Sequence, residues 1–221
     1  LHEGFDMREK QSRRDAIKTT AAASLGVASG AFAVPRGKRN PNFSGKDFIR
    51  EENSKKGTRD WRLSNTKTIP GKINKILDNG RSKAIEGYCN ANSLRVGEKL
   101  KIMVSANPAS AFKLDIFRTG YYGGTGARLM KSFDSLQAGT QPDPPVGENY
   151  VRECQWEPTV EFEIPKTWPS GVYLGKMTAE RSGIQSYVIF IVRDDRPCDF
   201  LFQCSDLTWS AYNRWPMDYS I

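Results

Sequence analysis

Residues 99–116, KLKIMVSANPASAFKLDI, carry two alternating segments separated by Asn107-Pro108. Apolar residues occupy every second position from 100 to 104 and again from 112 to 116. Lysine or aspartate fills most of the positions between them. Because the side chains of a strand point alternately to its two faces, this period predicts two half-buried strands, each with one face in water.

The same strand signals continue on both sides of this pair. Residues 160–164 alternate in the same way, whereas residues 186–192 are apolar on both faces, which predicts a central or covered strand. Further strands are predicted at residues 86–90, 128–133 and 171–179. About seven strands, punctuated by proline and glycine and with no convincing helix between them, predict a mainly β fold. We assign residues 66–196 to an Ig-like antiparallel β-sandwich.

A glycine-rich segment, GYYGGTG at residues 120–126, lies between two of the predicted strands. It has neither the spacing of a dinucleotide-binding loop nor the Lys-Ser/Thr ending of a phosphate-binding loop. We therefore predict a hairpin loop with glycines at positive φ. Tyr121 and Tyr122 at its tip are a candidate contact surface.

Residues 7–33 resemble a twin-arginine export signal. Arg13 and Arg14 precede a mildly apolar run of small residues, which ends in the box Ala31-Phe32-Ala33. We predict cleavage after Ala33 and export to the periplasm or the medium. The run is shorter than the roughly 20 residues that a bilayer requires, so no stable membrane anchor is predicted. An amphipathic helix of the mature protein is the alternative.

The formal net charge of +8 is concentrated in one segment. Residues 34–75 hold 12 Lys and Arg against 4 Asp and Glu, whereas residues 76–221 hold 16 against 17. The predicted sandwich is thus nearly neutral, which argues against nucleic-acid binding. Residues 34–65 are poor in apolar groups, and we predict that they form a basic, flexible linker.

Histidine occurs only at position 2. The folded region therefore lacks a Ser-His-Asp triad and a His-ligated metal. Without histidines a hard metal must be held by oxygens, and a tyrosinate ligates ferric iron. Tyr212 is the candidate metal ligand; the alternative is a tyrosine packed in a loop with its hydroxyl hydrogen-bonded.

The four cysteines allow disulfides in an exported chain. Cys89–Cys154 is the first bridge to test, and buried free thiols are the favoured alternative. Cys198 and Cys204 would lie about 20 Å apart in an extended segment, too far to pair.

Aromatic side chains offer a second candidate surface. Trp156 and Trp168, with Tyr121 and Tyr122, would make a carbohydrate platform, although packing in the core is the favoured interpretation.

After a charged break at residues 193–197, the chain changes character. Phe200, Leu201 and Phe202 form an apolar run without alternation, which predicts a strand buried on both faces. Polar and aromatic groups follow it, as they do where ligands bind beyond the strand ends of open α/β sheets. The chain then ends, so we predict that residues 197–221 are the truncated start of an α/β domain.

Four segments in order carry a family resemblance. They are IEGYCNANSLRVGEKLKIMVS from residue 85, FKLDIFRTGYYGGTGARLM from 112, CQWEPTVEFEIPKTWPSGVYLGKM from 154 and SYVIFIVRDDRPCDFLFQCSDLTWSAYNRWP from 186. Together they resemble the N-terminal portion of proteins similar to the large (β) subunit of N,N-dimethylformamidase.

The resemblance implies a sandwich leading into an α/β domain related to glutamine-amidotransferase folds. It implies hydrolysis of a small linear amide at a mononuclear iron held by tyrosines and a glutamate. Tyr212 corresponds to the tyrosine of the family's Ala-Tyr-Asn-like segment, and the other ligands are expected beyond Ile221, so the fragment itself is expected to be inactive. As an alternative function, the sandwich is a binding or assembly module for envelope glycan, a sister subunit or a second copy of the chain.

Overall fold

The computed structural model describes residues 48–67, 81–196, 198, 201–213 and 215–216. The predicted signal peptide at residues 7–33, with Arg13, Arg14 and the cleavage site after Ala33, lies outside the described residues. Neither of the two α-helices in the described residues is long and apolar enough to cross a membrane.

The described part of the chain contains eight strands in two sheets. The strands are β1 Glu86–Cys89, β2 Ser93–Arg95, β3 Lys99–Ser105, β4 Ser110–Thr119, β5 Ala127–Ala138, β6 Pro158–Glu163, β7 Gly171–Ala179 and β8 Gln185–Arg193. Two short helices, α1 Phe48–Ser54 and α2 Asp206–Ala211, flank them in sequence. The prediction of a mainly β sandwich is confirmed.

The sheet order shows how the chain builds this sandwich. One sheet has the order β1-β3-β6, and the other has the order β2-β8-β7-β4-β5. The pairings are antiparallel except that of β2 with β8, which is parallel. Strand β8 lies between β2 and β7, as its apolar character on both faces predicts.

The core lies between the sheets and is built by the alternating residues. The apolar side chains at 100, 102 and 104 of β3 and at 112, 114 and 116 of β4 are fully buried. Burial of each such side chain contributes about 1.5–3 kcal/mol. Met103, which strict alternation places in water, is also buried, and the pairing with β6 shifts register between Ile102 and Met103. Two-residue periodicity therefore predicts the core except where a bulge interrupts it.

The outer face of the five-stranded sheet is crossed by residues 55–65, here called the strap. Its Thr58 forms a bridge to Ala127 of β5 at one side of the sheet. At the other side, the backbone N–H of Gln185 in β8 donates to the carbonyl of Asn65. Between these points Lys176 of β7 donates to two strap carbonyls, at 2.8 and 3.0 Å.

This arrangement differs from the flexible character expected for residues 34–65. Amino-acid composition indicates whether a segment can fold on its own. The strap is ordered instead by hydrogen bonds to residues of the five-stranded sheet. Trp61 shows this, because its Nε1–H donates to the carbonyl of Thr125 at 2.9 Å. Tyr187 of β8 donates from its hydroxyl to the carbonyl of the same Trp61. Residues 48–65, the described part of the predicted linker, thus pack against the sandwich.

The predicted buried strand after the sandwich is wrong for its described residues. Leu201 and Phe202 belong to no strand and expose 89% and 81% of their surface, and Phe200 lies outside the described residues. A strand buried on both faces requires neighbours on either side that supply backbone partners and cover. Among the described residues no strand pairs with this segment, so its apolar side chains face water.

Candidate functional site

The glycine-rich loop between β4 and β5 has the predicted backbone. Gly123, Gly124 and Gly126 all have positive φ angles, of 65°, 83° and 93°. This is the conformation that favours glycine in tight turns. The interpretation of this segment as a hairpin loop is confirmed.

The two tyrosines of the loop point to different environments. Tyr121 exposes 71% of its surface, whereas Tyr122 is buried. The Tyr122 hydroxyl accepts a hydrogen bond from Arg118 Nη1 at 2.8 Å and donates to Glu52 Oε1 at 2.9 Å. Contrary to expectation, Tyr122 is not part of an exposed contact surface, because its ring and hydroxyl are committed to the interior.

The tryptophans of the suggested carbohydrate platform are core residues. Trp156 and Trp168 are both buried. The Trp168 ring stacks on Tyr173 with centroids 5.0 Å apart, and the Trp156 indole N–H donates to the carbonyl of Pro142 at 2.7 Å. The favoured interpretation, packing in the core, is confirmed, and the platform does not form.

Tyr212 lies directly after α2 and exposes 81% of its surface. No group of three or more His, Cys, Asp or Glu side chains that could hold a metal occurs among the described residues. Tyr212 as an iron ligand stays a prediction, and the described geometry supplies no step that runs through the metal.

A polar and aromatic cluster joins the C-terminal segment to the sandwich at Arg81. The Arg81 guanidinium binds Glu86 through Nε and Nη2, with the shortest distance 2.6 Å, and donates from Nη1 to Asp143 at 2.8 Å. Its hydrogen bonds to Glu86 raise the pKa of Arg81, and the guanidinium in turn lowers the pKa of Asp143. The Arg81 guanidinium and the Asp143 carboxylate thus stay charged at neutral pH.

Trp215 completes this cluster from the other end of the chain. Its ring centroid lies 4.7 Å from the Arg81 guanidinium carbon, in a cation–π contact. The indole N–H donates to Glu86 Oε2 at 2.9 Å. The ring also meets Trp156 edge-on, with centroids 5.8 Å apart. We call Arg81, Glu86 and Trp156, which contact this indole, the Trp215 seat.

Tyr88 supports the Trp215 seat from β1. Its ring lies 5.5 Å from that of Trp156, and its hydroxyl accepts from the Trp156 backbone N–H at 3.0 Å. The same hydroxyl donates to the carbonyl of Cys154 at 3.1 Å. Trp156 is therefore held in place on both its ring and its backbone, which presents a preformed edge to Trp215.

The described residues between 201 and 216, here called the arm, contact the sandwich through Trp215 and expose most of their other side chains. A shallow cavity of about 320 Å³ separates α2 from β8 and is lined by Ile189, Trp209 and Asn213 among others. Four large side chains of the arm expose between 81% and 89% of their surface: Leu201, Phe202, Leu207 and Tyr212. Exposed apolar groups, where they are contiguous, mark interaction sites in soluble proteins.

The candidate bridge Cys89–Cys154 does not form, since all four cysteines are free thiols. Cys89 packs against the core on the face of β1 opposite to neighbouring Tyr88, which contacts the Cys154 carbonyl. Burial raises the pKa of Cys89 to about 12 and that of Cys154 to about 11. The favoured alternative, free thiols, is confirmed, and both thiols are protonated at neutral pH.

Part of the chain also matches a known protein family. Residues 113–220 match the family model described as N,N-dimethylformamidase beta subunit-like, C-terminal. Over these residues the chain is similar to that family. The predicted resemblance to N,N-dimethylformamidase β-subunit-like proteins is thereby confirmed over these residues. No curated protein matches the chain significantly.

The matched residues include only one side of the Trp215 seat. Trp156 and Trp215 lie within the match, whereas Arg81 and Glu86 precede it. Reasoning from sequence did not find this seat, because Glu86 and Trp215 are 129 positions apart and neither stands in a chemical motif. The only sequence feature that indicates the Trp215 seat is the high aromatic content of residues 209–216.

Proposed function

We propose that this protein takes part in the hydrolysis of a small linear amide and that its β-sandwich is the assembly module of that enzyme. The family match supports the first half, because the name of the family is that of an amide hydrolase. It also supports the second half, because the matched proteins are described as similar to a beta subunit. A sister subunit is the partner that we propose for the sandwich.

The observation that carries the assembly role is the exposed arm. Trp215 fixes one end of the arm on the sandwich, while Leu207 and the other exposed arm residues face water. Covering apolar surface releases about 25 cal/mol for each Å² removed from water. An anchored apolar surface loses little conformational freedom when a partner covers it, so it favours docking.

The catalytic groups of the proposed hydrolase lie outside the described residues or on the sister subunit. Hydrolysis of an amide adds water across the C–N bond and gives a carboxylic acid and an amine. Iron in the complete enzyme, with Tyr212 as one ligand, is a further proposal from the family resemblance. Metal analysis of the purified protein tests it, and substoichiometric iron in active enzyme would contradict it.

We further propose that the protein is exported through the twin-arginine route, with Arg13 and Arg14 as the signal pair. Mass spectrometry of the protein from the periplasm or the medium should give Val34 as its first residue. A chain that begins upstream of Ala33 in that fraction would contradict the proposal.

The hydrolase proposal is tested on the native complex, that is, on the protein purified from its source together with any subunits that copurify. N,N-dimethylformamide is the probe, and the release of dimethylamine is measured. We expect amine release by the complex and none by the 221-residue chain alone. A complex without amidase activity would overturn the hydrolase role, and full activity of the monomeric chain would overturn the assembly role.

A matched pair of variants links assembly to the arm. Leu207→Asp places a charge in the exposed apolar surface and should lower both the share of assembled protein and the activity. Leu129→Asp is the control, because Leu129 is also exposed but lies on edge strand β5. Equal losses in the two variants would remove the arm from the proposal.

A further inference from the structure

Glu52 of α1 is a buried carboxylate, with only 1% of its surface exposed. Its Oε1 accepts from Arg128 Nε at 2.8 Å and from the Tyr122 hydroxyl at 2.9 Å. Its Oε2 accepts from Lys55 of the strap at 2.6 Å. Both oxygens are therefore satisfied, which a buried carboxylate requires.

The sandwich residues around Glu52 are held in place by hydrogen bonds within the sandwich. Arg118 donates to the Tyr122 hydroxyl from Nη1, and donates from Nε and Nη2 to the carbonyl of Ser170 at 3.1 and 2.8 Å. This pairing leaves the Tyr122 hydroxyl hydrogen free to point at the carboxylate. Arg128 makes a second contact to Glu52 Oε1, from Nη2 at 2.7 Å. The sandwich donors to Glu52 thus come from the hairpin loop and β5, and Arg118 of β4 orients the first of them.

The charge of the site also favours an anion. Two guanidinium groups lie at the site: Arg128 contacts the Glu52 carboxylate directly, and Arg118 contacts the Tyr122 hydroxyl that donates to it. Burial alone would raise the pKa of Glu52, but hydrogen bonds from Lys55, Arg128 and Tyr122 outweigh it and lower the pKa. The bound group is therefore a carboxylate rather than a neutral acid.

We propose that Tyr122 and Arg128, with Arg118 holding the tyrosine hydroxyl in place, form a carboxylate-binding socket of the sandwich, whose built-in ligand is Glu52 of α1. The socket captures α1 at one end of the five-stranded sheet, and α1 leads directly into the strap. Asn53 adds a second contact, because its Oδ1 accepts from the Tyr121 backbone N–H at 2.8 Å.

The chemical class of the ligand follows from the donor set. Arg128 presents two N–H groups to Oε1 and the Tyr122 hydroxyl adds a third donor to the same oxygen, while Lys55 binds Oε2. Charged donors to both oxygens suit a monocarboxylate. A small carboxylate should therefore occupy the socket when the Glu52 side chain is removed. This inference does not depend on the amidase proposal, since it concerns the described residues alone.

Chemical rescue in the full chain tests the socket. Glu52→Ala should lower the melting temperature by about 5–10 °C, because it leaves charged donors without their partner. Sodium acetate should raise the melting temperature of this variant with saturation, whereas sodium chloride of equal ionic strength should not. Wild-type protein should show no saturable response, because Glu52 already fills the socket.

Glu51→Ala is the matched control, because Glu51 is the exposed neighbour on the same helix. An equal effect of acetate on both variants, or none on Glu52→Ala, would overturn the proposal. If Glu52→Ala does not fold, stability is measured on Glu52→Gln instead, because glutamine keeps the shape of the side chain and removes its charge. A loss of stability in Glu52→Gln no larger than that in Glu51→Gln would also overturn the proposal.

Discussion

Replacing Trp215 by alanine should release the arm while leaving the sandwich folded. The change removes an indole hydrogen bond to the Glu86 carboxylate, worth about 1.5–3 kcal/mol. It also removes a cation–π contact with Arg81, worth about 0.5–2 kcal/mol. The edge contact with Trp156 adds about 0.5–1.5 kcal/mol. Because the indole is only partly buried, we expect a loss of about 3–4 kcal/mol in arm docking.

Hydrogen exchange at the backbone amides of α2 measures this loss. The amide N–H of Trp209 and that of Tyr212 donate to carbonyls within the arm, so their exchange reports how often the arm opens. A loss of 3–4 kcal/mol corresponds to opening that is about a hundredfold to a thousandfold more frequent. Amides in β4 and β7 should exchange at unchanged rates, since their hydrogen bonds lie within the sheet.

Two further variants separate the contributions. Trp215→Phe keeps an aromatic ring beside Arg81 but lacks the N–H donor, so its effect should be intermediate. Tyr212→Ala removes an exposed ring from the same arm and should leave exchange in α2 nearly unchanged. Unchanged exchange in Trp215→Ala, or an equal increase in Tyr212→Ala, would refute the anchoring role of Trp215.

Three further predictions concern the interior. The pKa of Glu52 is lowered on folding, so its stabilisation is present above the unfolded pKa of about 4.3 and is lost as pH falls through the folded pKa. The unfolding free energies of wild type and Glu52→Gln, measured by urea titration, should therefore converge below about pH 4, and a constant gap would contradict this. Tyr122→Phe should cost about 1–3 kcal/mol in the same titration, while Tyr121→Phe should be neutral, and equal effects would argue against the buried hydroxyl. At pH 8 a thiol reagent should label exposed Cys198 quickly and Cys89 only after unfolding; fast labelling of Cys89 would show that its raised pKa is wrong.

The strands of the sandwich were accessible to sequence reasoning because their signal is local. Leu114 is buried and Lys113 is not, and a period of two is enough to predict that difference. The glycines of the loop at 120–126 carry a similarly local signal, since positive φ restricts the residue type.

The elements that sequence reasoning missed depend on distant partners. Glu52 stands in a basic, polar segment, and nothing local indicates that it is buried against Tyr122, 70 positions away. Leu201 and Phe202 have the composition of a buried strand, but no described strand pairs with them. Tyr121 and Tyr122 are adjacent and of one type, so only the fold distinguishes the exposed tyrosine from the buried one.

The mass of the natively purified protein, combined with footprinting of its arm, tests the proposed assembly role most directly. Light scattering should give a mass above that of one chain of the purified protein, as mass spectrometry under denaturing conditions measures it. Carbene labelling should modify Leu207 and Phe202 much less than Tyr121, because the sister subunit covers the arm and not the hairpin loop. A single-chain mass, with Leu207 and Phe202 labelled as strongly as Tyr121, would contradict the assembly role.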